Sequence, residues 1–355
     1  MQKILIKNGR VWNGNEFIFS DVLTDCGKIA KIAPDIKDAA DFVFDATEKT
    51  VSAGLVDAHV HMRVMPTDQY GIGAEISCFP FGVTAAADAG RTDGERCILD
   101  SFMLKNVVFV TVHIKNNRVN IPDIEKALSR FADKAVGIKV YFDEHQCEVT
   151  SIEPLVSICS FAKSRGLCVM VHTSNSPTPL SEIIGVLNPK DILTHAFHGG
   201  KNNAAEDNFE SMRTAKKRGV IIDAGFAGHV HTDFSVFQAA INNGVLPDVI
   251  STDITKLSAF TRGGRYGMTM CMSIARHAGM KEEDIFSAVT KNPALALKKA
   301  GEWGCLKVGG AADIAVLDYT NEGFSLTDDY GNHIEDNNGY RCVLTVCDGQ
   351  IIYKD

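Results

Sequence analysis

The residues with the clearest chemical potential form a short run, Asp57-Ala58-His59-Val60-His61, at the end of an apolar stretch over 53–59. Residues two apart in a strand share a side and are separated by ~6.5 Å of backbone. Two imidazoles so placed can close on one metal ion, whose bonds to nitrogen are ~2.0–2.1 Å in the case of zinc. Taken alone, such a pair is more readily two structural histidines. Three more apolar runs end on the same kinds of residue: His172 after 167–171, His195 after 192–194 and Asp253 after 249–252. A single one could be a core histidine or a turn-capping aspartate, but the set has the composition of a metal site. Lys139 sits inside the apolar run 136–142, where a charged side chain is costly to bury. Strand alternation turns Gly137, Lys139 and Tyr141 to one side and Ile138, Val140 and Phe142 to the other. Such a lysine either snorkels out of the strand end or has a depressed pKa. In the second case it can react with carbon dioxide and become a carboxylate that bridges two metals.

The elements that must carry these residues alternate along the middle of the chain. Strand candidates lie at 53–59, 82–88, 107–113, 136–142, 167–172, 192–195, 220–223 and 249–253, with helix-like segments at 122–132, 153–165, 206–218 and 234–243. Near-continuous apolar strands followed by helices imply a parallel sheet covered on both faces. Eight units in ~250 residues suit a closed (β/α)8 TIM barrel, in which catalytic groups gather at the C-terminal strand ends. The four His and Asp strand ends, the HxH pair included, would therefore meet at one rim. Residues 1–52 and 301–355 are instead rich in short strands and turns, including Asn13-Gly14 and Asp348-Gly349. They are expected to pair into a composite β-sandwich domain beside a barrel of residues 53–300.

Composition narrows the class further. The chain has 355 residues, 45% hydrophobic and 23% charged, with a net charge of −8. That balance speaks against disorder, and acidic and basic residues are mixed along the chain, against a nucleic-acid surface. No apolar run approaches the ~20 residues a membrane helix needs. Ten cysteines without a CxxC pair or a signal-like N-terminus read as free, mostly buried thiols of a cytoplasmic protein.

Together these residues resemble the amidohydrolase superfamily. The resemblance runs from Gly54-Leu55-Val56-Asp57-Ala58-His59-Val60-His61 through Lys139, His172, His195 and Asp253 to Gly309-Gly310-Ala311-Ala312-Asp313-Ile314-Ala315-Val316-Leu317-Asp318. It implies two divalent ions, with His59 and His61 on the more buried one and His172 and His195 on the more exposed one. Carboxylated Lys139 would bridge them, and Asp253 would bind the first ion and act as general acid/base. Paired ions lower the pKa of a bridging water toward ~7. Imidazole and carboxylate suit Zn2+, while Mn2+, Fe2+ or Co2+ can occupy such a site.

Within the superfamily the chain looks most like a branch labelled dihydroorotase-like or adenine-deaminase-like, some members of which hydrolyse acyl amides and esters. Leu193-Thr194-His195-Ala196-Phe197-His198-Gly199 and Pro247-Asp248-Val249-Ile250-Ser251-Thr252-Asp253 carry that likeness. Two positions depart from it: Thr255 stands where the branch has a histidine, and Phe226 replaces another. His229 and His231 follow Phe226 and are expected to be exposed. Arg63, two residues after His61, suits bidentate binding of a substrate carboxylate. Arg91, Asn175, His198 and Arg262 are further substrate-binding candidates in the loops after strands. The expected activity is hydrolysis of an amide, a cyclic amide or a related acyl ester of a small carboxylate-bearing molecule, by a homo-oligomer. The alternative is an adenine-type nucleobase deaminase. Such enzymes often place a proton-shuttling glutamate after the fifth strand, whereas Thr173-Ser174-Asn175 follow His172 here. A third reading, a relative that lost catalysis and serves as a binding protein, sits poorly with a complete ligand set.

Overall fold

The computed structural model describes residues 2–62, 71–91, 96–228, 230–260 and 266–355, with the backbone alone for 91, 96–98 and 260. Five strands open the chain: β1 (Ile4–Trp12), β2 (Phe17–Asp25), β3 (Lys28–Ala33), β4 (Phe42–Asp45) and β5 (Thr50–Ala53). Seven follow in the middle: β6 (Leu55–Val60), β7 (Val83–Arg91), β8 (Lys105–Val112), β9 (Ala135–Tyr141), β10 (Cys168–His172), β11 (Ile192–Thr194) and β12 (Ile221–Asp223). Five close the chain: β13 (Ile314–Thr320), β14 (Phe324–Thr327), β15 (His333–Asp336), β16 (Gly339–Cys347) and β17 (Gln350–Lys354).

The middle strands form one parallel sheet in sequence order, β6 to β12. The eighth position is taken by residues 249–254, which are not regular enough to form a full strand. Parallel bridges join Asp223 to Val249 and Val60 to Ile254, so this segment links the two edge strands. The Asp253 amide donates to the His59 carbonyl at 2.7 Å and the His61 amide to the Ile254 carbonyl at 3.3 Å. The ring thereby closes and leaves no free parallel edge.

Alternation sorts the side chains as the strand period requires. Ile138 and Val140 on β9, and Phe142 just after it, pack outward with helix residues Leu155, Ile158 and Ala162. On the inside, Phe109, Cys168, Met170 and Ile192 form a second cluster with Leu297 and Trp303. Gly137 is small because a Cβ there would stand 2.7 Å from the Phe109 ring. In β6 the alternation breaks: a register shift falls between Asp57 and Val60. Val56 and Ala58 join the inner cluster, while Val60 and Met62 join the outer one. Bulges of this kind re-aim side chains beside functional sites, and here the shift lies across the HxH run.

The chain ends share a single mixed sheet, in the order β17-β16-β13-β5-β1-β2-β3 with β4 beside β1; β14 and β15 form a separate hairpin. Its core draws Ile4, Ile6, Val22 and Val51 from one end and Ile314, Val316, Leu344 and Val346 from the other. Asp348 (φ 47°) and Gly349 (φ 76°) supply the two positive φ values that a tight turn between β16 and β17 needs. All described cysteines are free thiols; six are buried and Cys26 is exposed. Among the described residues, no helix is long and apolar enough to cross a membrane.

Candidate metal centre

Two clusters of ligand-type side chains lie at the C-terminal ends of the parallel strands. The first joins His59, His61 and Asp253, whose ligand atoms fall within 4.8 Å of one another. Asp253 Oδ1 is 2.8 Å from His61 Nε2 and 3.2 Å from His59 Nε2. The second cluster joins His172, His195 and His231 within the same limit. Asp253 spans the two, because its Oδ2 lies 3.6 Å from His195 Nε2. Lys139, 0% exposed, reaches the first cluster with Nζ 3.0 Å from His59 Nε2.

Buried partners fix these groups. Asp57 accepts from the Thr252 amide (3.2 Å), the Thr252 hydroxyl (2.6 Å) and the His59 amide (3.2 Å), tying the HxH strand to the residue before Asp253. Asp223, at the end of β12, accepts from Thr194 Oγ1 and Ser251 Oγ, both at 2.7 Å. The oxygen that accepts from Thr194 also faces His59 Nδ1, at 3.6 Å. The His195 ring is held through Nδ1, which donates 2.7 Å to the Gly225 carbonyl when that nitrogen carries the proton. His195 (φ 66°) and Asp253 (φ 47°) both adopt left-handed backbone. That conformation costs an L-residue ~1–2 kcal/mol and persists at functional sites where surrounding contacts over-determine it.

The electrostatics suit cation binding. Burial depresses the imidazoles of His59 and His172 to about 4 and that of His231 to about 3, and takes that of His195 well below its ordinary value. All four are therefore neutral near pH 7, the form that ligates metal. Burial also brings the Lys139 ammonium down to about 8, partly offset by Asp253 and Asp223. Burial works against charge on Asp253, yet His59 and His61 outweigh it and hold the carboxyl below the usual carboxylate range. Asp57 goes the other way: burial lifts it to about 7 against the hydrogen bonds from Thr252.

The donor set fits a pair of divalent ions. The Nε2 atoms of His172 and His195 are buried and have no hydrogen-bond partner among the described residues. An unsatisfied buried nitrogen costs ~1–3 kcal/mol, and a bound cation would satisfy both. His59, His61 and Asp253 could hold one ion, and His172, His195 and His231 another.

The remaining sequence candidates fare differently. His198 is buried, takes a hydrogen bond from the Gly200 amide on Nδ1 (3.1 Å) and leaves Nε2 unpartnered. Asn175 lies beside it across Gly200, with Nδ2 3.4 Å from Asp143 Oδ2. Arg63, Arg262 and His229 lie outside the described residues, as does the side chain of Arg91, whose backbone ends β7. The expectation that His231 is exposed is overturned. It is half-buried, its ring centroid 4.4 Å from that of His195, because the loop after β12 folds inward over the rim. Sequence reasoning also passed over Asp143 and Asp223. Asp143, 1% exposed, follows β9 directly and stands 3.4 Å from His172 Nε2. Both aspartates sit at C-terminal strand ends, which was the available signal.

Neutral imidazoles and buried carboxylates thus gather at the C-terminal rim of a parallel barrel, in groups that could hold metal. Residues 50–352 match the Amidohydrolase family, and the chain belongs to that family. It is 29% identical to a protein of Enterococcus faecalis named a deacetylase, over 98% of both chains. A crystal structure of a dihydroorotase superposes with a TM-score of 0.86 at 24% identity, covering 99% of each chain. A crystal structure of an adenine deaminase does so with a TM-score of 0.85 at 25% identity and the same coverage. The family generally uses a binuclear metal centre, and the two clusters supply residues for one.

Proposed function

We propose that the chain is a binuclear metal-dependent amidohydrolase that cleaves an amide, a cyclic amide or a related acyl ester of a small carboxylate-bearing molecule. The observation that carries this reading is the placement of Asp253. One carboxylate oxygen contacts His59 and His61, and the other faces His195, so a single group touches both clusters. Bound divalent ions would supply Lewis acidity toward the substrate carbonyl and acidify a coordinated water. Asp253 accepts the proton of the attacking water and delivers it to the leaving nitrogen or oxygen as the acyl bond breaks. The products are a carboxylate and an amine, or an alcohol from an ester. Carboxylated, Lys139 would add a further carboxylate to the donor set; its full burial and depressed pKa keep part of the amine neutral for reaction with carbon dioxide. Arg63, Arg91 and Arg262 are the candidates for holding the substrate carboxylate, with Asn175 and His198 as further substrate contacts.

In this reading residues 53–300 form the catalytic barrel and 1–52 with 301–355 the supporting β-domain of a cytoplasmic homo-oligomer. The similarity to a deacetylase favours linear acyl substrates. The similarity to an adenine deaminase keeps deamination as the second reading. The test is a hydrolysis screen of the Zn2+- or Mn2+-loaded protein with N-acyl amino acids, cyclic ureides and acetyl esters, beside ammonia release from adenine. Asp253→Asn is expected to lower turnover of the best substrate ~10²–10⁴-fold. Ammonia release from adenine alone would establish the second reading, and wild-type turnover by folded, metal-loaded Asp253→Asn would refute the first.

A further inference from the structure

The outer cluster holds one imidazole more than the resemblance assigns to it. His172, His195 and His231 each offer a nitrogen, and these atoms lie within 4.8 Å of one another. Their ring centroids form a nearly equilateral triangle with sides of 4.4, 4.5 and 4.8 Å. Among the described residues the Nε2 atoms of His172 and His195 are buried without a well-formed hydrogen bond, with carboxylate oxygens of Asp143 and Asp253 standing off at 3.4 and 3.6 Å. Three converging neutral imidazoles are a cation's donor set; as packing alone they would leave their lone pairs facing one another.

Two further contacts make His231 a built part of this triangle. Its Nδ1 lies 3.1 Å from Ser174 Oγ, two residues beyond His172. In the tautomer where Nδ1–H donates to that hydroxyl, Nε2 keeps its lone pair for a metal, the usual arrangement for a ligating histidine. The backbone is anchored as well. Asp233 donates its amide to the Phe197 carbonyl at 2.9 Å, and its side chain caps the helix Phe234–Asn242 through the amides of Ser235 and Val236. The loop that carries His231 is thus pinned two residues downstream of it.

We infer that His231 is a third imidazole ligand of the outer ion, which makes that position richer in imidazole than the carboxylate-rich inner one. The inference deepens the proposed function and rests on its two-ion reading. It also gives the outer position a metal preference: three imidazoles favour borderline ions such as Zn2+ and Co2+ over Mn2+ or Mg2+, which prefer oxygen. The inner position, with Asp253 and Lys139, accepts the harder ions more readily.

The experiment is a titration of the metal-free full chain with Zn2+ and with Co2+, following ions per chain by elemental analysis and the visible Co2+ bands. In His231→Gln the second equivalent is expected to bind about 100-fold more weakly or worse, and its Co2+ bands to change. Ser174→Ala, which removes only the orienting hydroxyl, is expected to weaken the same equivalent about 10-fold. It also provides a second variant should His231→Gln misfold by circular dichroism. Two ions bound by His231→Gln at wild-type affinity, with an unchanged Co2+ spectrum, would overturn the inference and leave the proposed function standing. A wild-type chain that takes up no second ion would overturn both.

Discussion

Gly225 lies beside the centre without offering a ligand, and replacing it tests how tightly the second cluster is built. Its φ of +55° is left-handed, and a Cβ there would stand 2.4 Å from Thr194 Oγ1 and 2.6 Å from His195 Nδ1. Gly225→Ala therefore carries two costs. The left-handed backbone costs alanine ~1–2 kcal/mol, and overpacking a dense interior costs a further ~1–3 kcal/mol. Neither neighbour can yield cheaply. Thr194 Oγ1 is bonded to buried Asp223 at 2.7 Å, and the His195 ring is bonded to the Gly225 carbonyl itself at 2.7 Å. The expected loss is about 2–5 kcal/mol in urea unfolding of the metal-free chain, with the outer ion lost or bound far more weakly as the His195 ring is displaced. Gly244→Ala is the control: its φ is +71° but nothing lies within 4 Å of the added carbon. It should show only the backbone cost of ~1–2 kcal/mol and keep both ions. If Gly225→Ala stayed within about 1 kcal/mol of wild type and bound two ions normally, the tight packing described around His195 would be wrong.

The buried titratable groups yield two further predictions. Lys139→Met should abolish turnover and lower the ions bound per chain, yet raise the urea midpoint of the metal-free chain at pH 7. The ammonium has a folded pKa near 8 against an ordinary 10.5, so its charge is penalised below pH 8. The advantage of the variant should therefore shrink as pH rises from 8 toward 10.5, and a variant less stable than wild type at pH 7 would contradict this account. His198 has its pKa lowered by burial from 6.5 to about 4, with His231 adding to the effect and Asp143 and Asp233 opposing it. The unfolded chain then takes up a proton first as pH falls, so stability is full above pH 6.5 and is lost progressively down to pH 4. His59, His172 and His231 act in the same direction. Metal-free His198→Gln should lose less stability than wild type between pH 7 and 5; equal slopes would exclude His198 as a contributor.

How much of this was legible in the sequence depended on whether a signal repeats along the chain. Strand and helix periods repeat, so the strands that carry His59, Lys139 and His172 could be placed to within two residues of where they fold. The residues just past those strands have no period. His195 and Asp253 were recoverable because they close apolar runs, although neither lies within a regular strand and both take left-handed φ values that no pattern announces. Asp143 and Asp223 occupy equivalent places and were passed over because an aspartate after a strand reads equally as a cap. His231 was the hardest to place. Its position depends on the turn that carries the chain inward at Gly225 (φ 55°), Ala227 (φ 49°) and Gly228 (φ 77°), and then on Asp233 gripping Phe197. A histidine in a glycine-containing loop outside any strand is expected to be exposed, and only the tertiary anchor reverses it. The likeness to a dihydroorotase and an adenine deaminase extends over nearly the whole chain, so the barrel frame is common to all three. A mutational search for the residues that tune this chain's own chemistry therefore belongs in the loops after β9, β10 and β12, where Asp143, Ser174 and His231 meet the imidazoles at the barrel rim.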